Sequence, residues 1–169
     1  MQEESLDLHV EGVLDVGIIV PSCFENPLKE ESVSFLQEVL LGRRKALLPV
    51  SAILGAYHVV TSYLGVSRVS AKKILSELLN TYSEALYPQI TIDLASTALD
   101  YAATHDIESW DGYLVALARK FDAKLVFSMD EELGESLYEE ELVVVNSFRP
   151  GTVRHYHKFL QEKKSTSKK

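Results

Sequence analysis

Cysteine is almost missing from this chain. Cys23 is the sole one among 169 residues, so no intrachain disulfide can form. That usage fits a reducing compartment, and a cytoplasmic location is the expectation. Long apolar runs are missing too. None approaches the roughly 20 residues needed to span a bilayer, so no membrane partner is expected. The first residues, Met1-Gln-Glu-Glu-Ser5, are acidic and lack the basic opening of a secretory signal. Positive charge is scarce: 17 Lys and Arg stand against 25 Asp and Glu, for a formal net charge of −8. This excludes a surface that binds nucleic acid nonspecifically all round, because phosphate contacts need Lys or Arg. It suits a site that concentrates cations, and it suits a basic protein partner. No internal repeat is visible.

What remains is an ordinary globular balance, 46% hydrophobic and 25% charged. The length fits one domain with a sizeable core. Residues 1–11 read as an N-terminal extension, 12–150 as the domain, and 151–169 as a C-terminal helix with a disordered basic tail. Within the domain, strand and helix signals alternate. Residues 13–20 are a short β-branched apolar run that reads as a buried strand, and residues 46–50 and 124–128 read the same way. Residues 142–146 read as a last strand, and residues 87–91 as a linker or short extended piece. Helical stripes run from Glu30 to near Gly42, from a cap at Ser51 to about Gly65, and from Ser67 or Ser70 onward. Others run from a cap at Thr91 or Asp93 to about Thr104, over 111–121, and over 152–162. Strands apolar on both faces and separated by helices imply an α/β three-layer sandwich, with a central parallel sheet flanked by helices.

Three aspartates sit where such elements begin or end. Asp15 lies inside Val13-Leu-Asp-Val-Gly-Ile-Ile-Val20. Asp130 closes Lys124-Leu-Val-Phe-Ser-Met-Asp130. Asp111 opens the pattern Gly112-Tyr-Leu-Val-Ala-Leu-Ala-Arg119. A carboxylate in an apolar run is costly to bury unless it is paired or bound to a metal. In parallel sheets, ligands gather outside the carboxyl ends of the strands. Three such acids point to one oxygen-ligand site for a hard divalent cation. For Asp111 alone, a helix N-cap is the competing reading.

The segments Val13-Leu-Asp15, Pro49-Val-Ser-Ala-Ile-Leu-Gly-Ala-Tyr57, Ile107-Glu-Ser-Trp-Asp-Gly-Tyr-Leu-Val-Ala-Leu-Ala118 and Ala123-Lys-Leu-Val-Phe-Ser-Met-Asp130 together resemble a PIN domain. That family comprises metal-dependent nucleases and includes toxin ribonucleases of toxin–antitoxin pairs. The resemblance spans about residues 12–148, and its second half is the specific part. It implies Asp15, Asp111 and Asp130 as catalytic and metal-holding residues, Mg²⁺ or Mn²⁺ as cofactor and RNA as substrate. It further implies a cognate antitoxin and a homodimer, for which the apolar helices at 52–64 and 70–79 offer a surface. The chain departs from the family at Tyr57, aligned with a usual Glu, and at Gly17, where Ser, Thr or Asn is common. Glu108, Glu131 or Glu132 are the acids available to stand in.

Other residues carry two readings each. Ser128 either bonds a carboxylate or is a polar residue at a strand end. Tyr57 reads as core packing. Trp110 reads as a core anchor for its loop, or as a platform that stacks on a base. His58 could face solvent or substrate. His155 and His157 are split across helix faces by their spacing, which argues against a shared metal. Arg43-Arg44-Lys45 and Lys72-Lys73 are either solvated surface or phosphate contacts near the cleft. The acidic crowding of residues 131–141 would repel an RNA backbone unless a cation offsets it. That crowding and the missing Glu motivate a second reading, a PIN-like module that binds RNA or protein as a scaffold.

Overall fold

The computed structural model describes residues 9–166. The five strands are β1 (Gly12–Leu14), β2 (Ala46–Pro49), β3 (Leu86–Tyr87), β4 (Leu125–Phe127) and β5 (Val143–Val145). They form one sheet in the order β3-β2-β1-β4-β5, and every pairing is parallel. The helices are α1 (Val16–Ile19), α2 (Lys29–Leu40), α3 (Val50–Ser62), α4 (Arg68–Leu79), α5 (Ile92–His105), α6 (Ser109–Lys120), α7 (Glu131–Ser136) and α8 (Pro150–Thr166).

Successive strand residues face opposite sides of a sheet. Leu14, Leu48 and Phe127 therefore join a core with residues of α1 to α4 and α8, such as Ile18, Phe35, Ile53, Leu75 and Tyr156. Their neighbours Val13, Leu47 and Val126 join a second core with Leu94, Leu117 and Leu133 of α5, α6 and α7. These are the two interfaces of the expected three-layer sandwich. The three inner strands β1, β2 and β4 carry both, because their residues are buried on both faces, whereas β3 and β5 at the edges are partly exposed.

Several boundaries differ from the sequence reading. Residues 13–20 are not one strand. The sheet portion ends at Leu14, Asp15 is the N-cap residue of α1, and a 3-10 turn covers Val20–Cys23. A buried helix and a buried strand are equally apolar, so this run carries no period that separates them. Residues 86–87 form a true edge strand, paired through Leu48↔Leu86 and Pro49↔Tyr87. The helix after β2 starts at Val50 with Pro49 as its cap residue, two residues before the expected cap at Ser51. Thr91 and Ser67 do cap their helices, accepting bonds from the backbone N–H groups of Leu94 and Ser70.

The proposed extension at 1–11 overlaps the domain: Val10 is core, and the Glu11 N–H donates to the Lys45 carbonyl at 2.6 Å. Residues 1–8 lie outside the described residues. At the other end, α8 runs through Thr166, well into the stretch expected to be disordered. Its last turns have partners. Leu160 packs on the first core, Phe159 stacks with Phe24 at 6.4 Å, and the Lys163 ammonium lies 5.1 Å from the Phe24 ring centre. Residues 167–169 lie outside the described residues.

The tightest helix contact sets the depth of Asp111. At Gly112 a side-chain carbon would fall 2.1 Å from the Ala98 carbonyl oxygen and 3.1 Å from the Ala102 nitrogen, so α5 and α6 touch backbone to backbone. Gly112→Ala should therefore destabilise the protein by about 2 kcal/mol or more, as overpacking against rigid backbone does. Gly151→Ala, which meets only an Arg154 terminal nitrogen at 4.0 Å, should stay within about 0.5 kcal/mol of the parent or exceed it. Urea unfolding of both variants checks the contrast. Equal stability of the two would refute the close packing of α5 on α6.

Candidate metal and nucleic-acid site

The strand order reverses between β1 and β4. The chain builds β2 and β3 outward on one side of β1, then returns to add β4 and β5 on the other. Ligands collect outside the carboxyl ends of parallel strands at such a reversal. The register pairs Leu14 with Phe127, so Asp15 and Ser128 emerge side by side at this seam. The Asp15 N–H donates to the Phe127 carbonyl at 2.9 Å. The Ser128 hydroxyl, only 1% exposed, donates to Asp15 Oδ2 at 2.7 Å and accepts from the Asp130 N–H at 3.0 Å. Ser128 is thus the carboxylate partner of its two readings. It ties the first Asp to the loop of the third.

Burial pushes the Asp15 carboxyl above the ordinary Asp range. The Ser128 hydroxyl opposes that shift, the nearby Val16 and Gly17 amides oppose it more weakly, and the charge of Asp130 adds to it. The two amides approach without closing a geometric cap bond. A side-chain carbon at Gly17 would sit 3.6 Å from Asp15 Oδ2, an ordinary van der Waals contact.

Asp111 is not the helix N-cap. Glu108 holds that position, and Asp111 lies within the first turn of α6. Burial first, then the charges of Asp15, Asp130 and Glu108, pushes its carboxyl up to about 7. Among the described residues, none of these four acids takes part in an ion pair. Asp130 caps α7, with Oδ1 accepting from the Glu132 and Leu133 N–H groups at 3.0 and 3.2 Å. Its other oxygen lies outside these bonds. With Ser128 and Glu131 it lines a groove beside β5 that also takes in Met129, Tyr138 and Asn146.

Asp15, Glu108 and Asp111 open onto a second cleft of about 590 Å³. Asp15 lines this cleft, and its bonded partner Ser128 lines the groove. One wall is apolar, from Val16, Pro49, Ala52, Leu54, Val59, Ile90 and Leu114; Ser51, Gly55, His58, Trp110 and Tyr113 complete it. No Lys or Arg lines it. Arg43-Arg44-Lys45 precede β2, at the opposite end of the sheet, where the Arg44 guanidinium lies 5.0 Å from the Phe35 ring and 5.7 Å from the Phe127 ring. Lys72 and Lys73 lie exposed on α4. Neither basic run reaches the cleft. Tyr57 packs on the first core, as read, and does not line the cleft. The wall of α3 lacks an acid because Ser51, Leu54, Gly55 and His58 face the space, whatever stands at position 57. Trp110 is not a core anchor: it is 61% exposed. The apolar wall itself escaped the sequence reading. Its one local signal is Gly55, a glycine inside a helix, where a side-chain carbon would meet Val16 Cγ2 at 3.3 Å.

The donor set fits a hard dication in kind, since its oxygens are uncompensated carboxylates. As placed, no three His, Cys, Asp or Glu side chains among the described residues gather tightly enough to hold one ion. The acids are near enough to raise one another's pKa, yet they ring the space without closing on it. Mg²⁺ retains several waters and takes only one or two carboxylates directly, so Asp15 and Asp111 with bridging waters would meet its needs.

No family model matches the chain, and no curated protein matches it. Among solved structures it is similar to PAE2754 from Pyrobaculum aerophilum. The likeness covers 98% of this chain and 99% of that one, with a TM-score of 0.55 and 14% sequence identity. At that identity the likeness is one of fold.

The raised carboxyl of Asp111 contributes stability that is present at low pH and lost as pH rises. Folded Asp111 keeps its proton up to about 7, whereas the unfolded chain loses it near 3.8, so the native state binds more protons between those values. In metal-free buffer the loss from about pH 4 to pH 7 should amount to about 1–2 kcal/mol, after discounting for solvent screening. Asp111→Asn should remove most of this slope and match or exceed the parent at pH 8. Denaturant titrations at stepped pH check it. A pH slope that Asp111→Asn leaves unchanged would contradict the raised carboxyl.

Proposed function

We propose that this chain is a divalent-metal-dependent endoribonuclease of the PIN type. The observation that supports it is the ring of Asp15, Asp111, Asp130 and Glu108 around the strand-order reversal, near enough to act on one another's charge, with no cationic side chain to balance them. Such a cluster is unfavourable unless a cation is held there. Asp15 and Asp111 would hold the ion, with Asp130 completing the set through its uncapped oxygen. A bound Mg²⁺ or Mn²⁺ supplies activation of water and neutralises charge that builds on phosphate oxygens.

The chain's own residues set the geometry. Ser128 fixes the rotation of the Asp15 carboxylate and holds the Asp130 backbone in step with it. The contact at Gly112 fixes the depth of the Asp111 turn. The apolar wall of α3 excludes water from one side, which strengthens electrostatic contacts inside the cleft. The substrate reading is RNA, and the partners that follow from the resemblance are a cognate antitoxin and a second copy of the chain. Exposed Leu54, Tyr63 and Val69 on or beside α3 and α4 offer an apolar face for such a partner. No helix among the described residues is long and apolar enough to cross a membrane. The buried single Cys23 agrees with a cytoplasmic setting.

A specific observation favours a second reading, the non-catalytic scaffold. The α3 wall contributes no carboxylate, and no three acids close on one point. Both readings separate in one experiment. Purified protein with Mn²⁺ should cleave single-stranded RNA, and Asp15→Asn should lower the rate at least about 100-fold, more than loss of an outer-shell partner does. Ser128→Ala, which loosens Asp15 without removing it, should cost about 10–100-fold. Absence of cleavage across a broad RNA panel, or cleavage indifferent to Asp15→Asn, would leave the scaffold reading in place.

A further inference from the structure

We propose that the apolar half of the α3–α6 cleft seats one unpaired base of single-stranded RNA, stacked on Trp110. This rests on reading the cleft as a site for RNA. Trp110 stands in the first turn of α6, one residue before Asp111, and is 61% exposed. Its ring meets Tyr113 edge-on, at 84° and 6.5 Å between centres. Tyr113 is itself only 4% exposed, and its hydroxyl donates to the Gln89 carbonyl at 3.2 Å. The indole is therefore mounted on a fixed neighbour while most of its surface is left to solvent. Leu54 and Ile90, 66% and 49% exposed, flank the same space.

The chemistry of the walls selects the part of the ligand. No Lys or Arg lines the cleft, and Glu108, Asp111 and Asp15 are acids. A phosphate gains nothing from these walls alone. A flat, uncharged heteroaromatic ring gains apolar contact and stacking. Ser51, His58 and Glu108 offer polar atoms for its edge. About 590 Å³ is space for a nucleotide-sized ligand. A paired base is not available to such a pocket, because its faces are stacked in the helix. The base would lie beside the acids, and this placement would set the phosphate to be attacked.

Trp110 is the chain's single tryptophan, so its fluorescence reports on this site alone. The full chain is titrated with hexa-adenylate and with an abasic oligomer of equal phosphate count, Ca²⁺ replacing Mg²⁺ to suspend turnover. Hexa-adenylate should quench the indole, and the abasic oligomer should bind about 5- to 150-fold more weakly, the worth of one stacked base. With a labelled oligomer followed by anisotropy, Trp110→Ala should lose affinity by a similar factor. Trp110→Phe should stay within about threefold, since it keeps an aromatic face. Equal affinity for the abasic oligomer or for a duplex would overturn the proposal. So would a free chain whose indole emission is already that of a buried ring, in a dimer that Trp110→Ala dissociates. Base-dependent binding without Mn²⁺-dependent cleavage would keep this inference and end the nuclease reading. Asp15-dependent cleavage that ignores Trp110→Ala would do the reverse.

Discussion

Half-buried carboxyl groups held close together, with no cationic side chain among them, are the constraint on which the rest of this molecule turns. The parallel sheet places Asp15 and Ser128 at one level, and the first turn of α6 brings Asp111 to the same place. The cost is visible in Asp111, whose carboxyl reaches about 7. Burial is the larger cause and crowding the next. On the proposed reading, a bound cation would relieve both. The hydrogen bond from Ser128 is a partial offset for Asp15. Asp111 has no such partner among the described residues.

Two adjacent environments follow from this arrangement. On one side of the Asp15–Ser128 bond is the acidic groove of Asp130 and Glu131 along β5. On the other is an apolar cleft walled by α3 and α6. The net charge of −8 and the remoteness of Arg43-Arg44-Lys45 mean that long-range attraction of a polyanion is weak. Recognition on the proposed reading therefore depends on short-range terms, namely stacking and ion bridging. That combination favours unpaired segments over duplex and makes binding conditional on the dication.

Much of this was legible in the sequence, for identifiable reasons. Asp130 after Leu125–Phe127 and Ser128 between them follow from a strand that ends in polar residues. The parallel sheet follows from strands apolar on both faces. Where the reading failed, the sequence signal was degenerate. Val16 to Val20 are as apolar in a buried helix as in a strand, so Asp15 was read as lying inside a strand when it ends one. Leu86–Tyr87 is too short to carry a period. Trp110 has the composition of a core residue, and only the geometry of α6 leaves it outside. Tyr57 does pack on the core as read, but the side of α3 that meets the cleft, with Ser51, Gly55 and His58, depends on the helix phase after Pro49. Helix phase is fixed by packing that no single sequence displays.

The most direct test of the central claim is the titration of the Asp111 side-chain carboxyl by NMR, with and without Mg²⁺. Without the ion its midpoint should lie near 7. With Mg²⁺ present the midpoint should fall to the ordinary Asp range of about 4 or below, because the charged form gains a cation. A midpoint near 3.8 in metal-free solution, or one that Mg²⁺ leaves in place, would contradict the account.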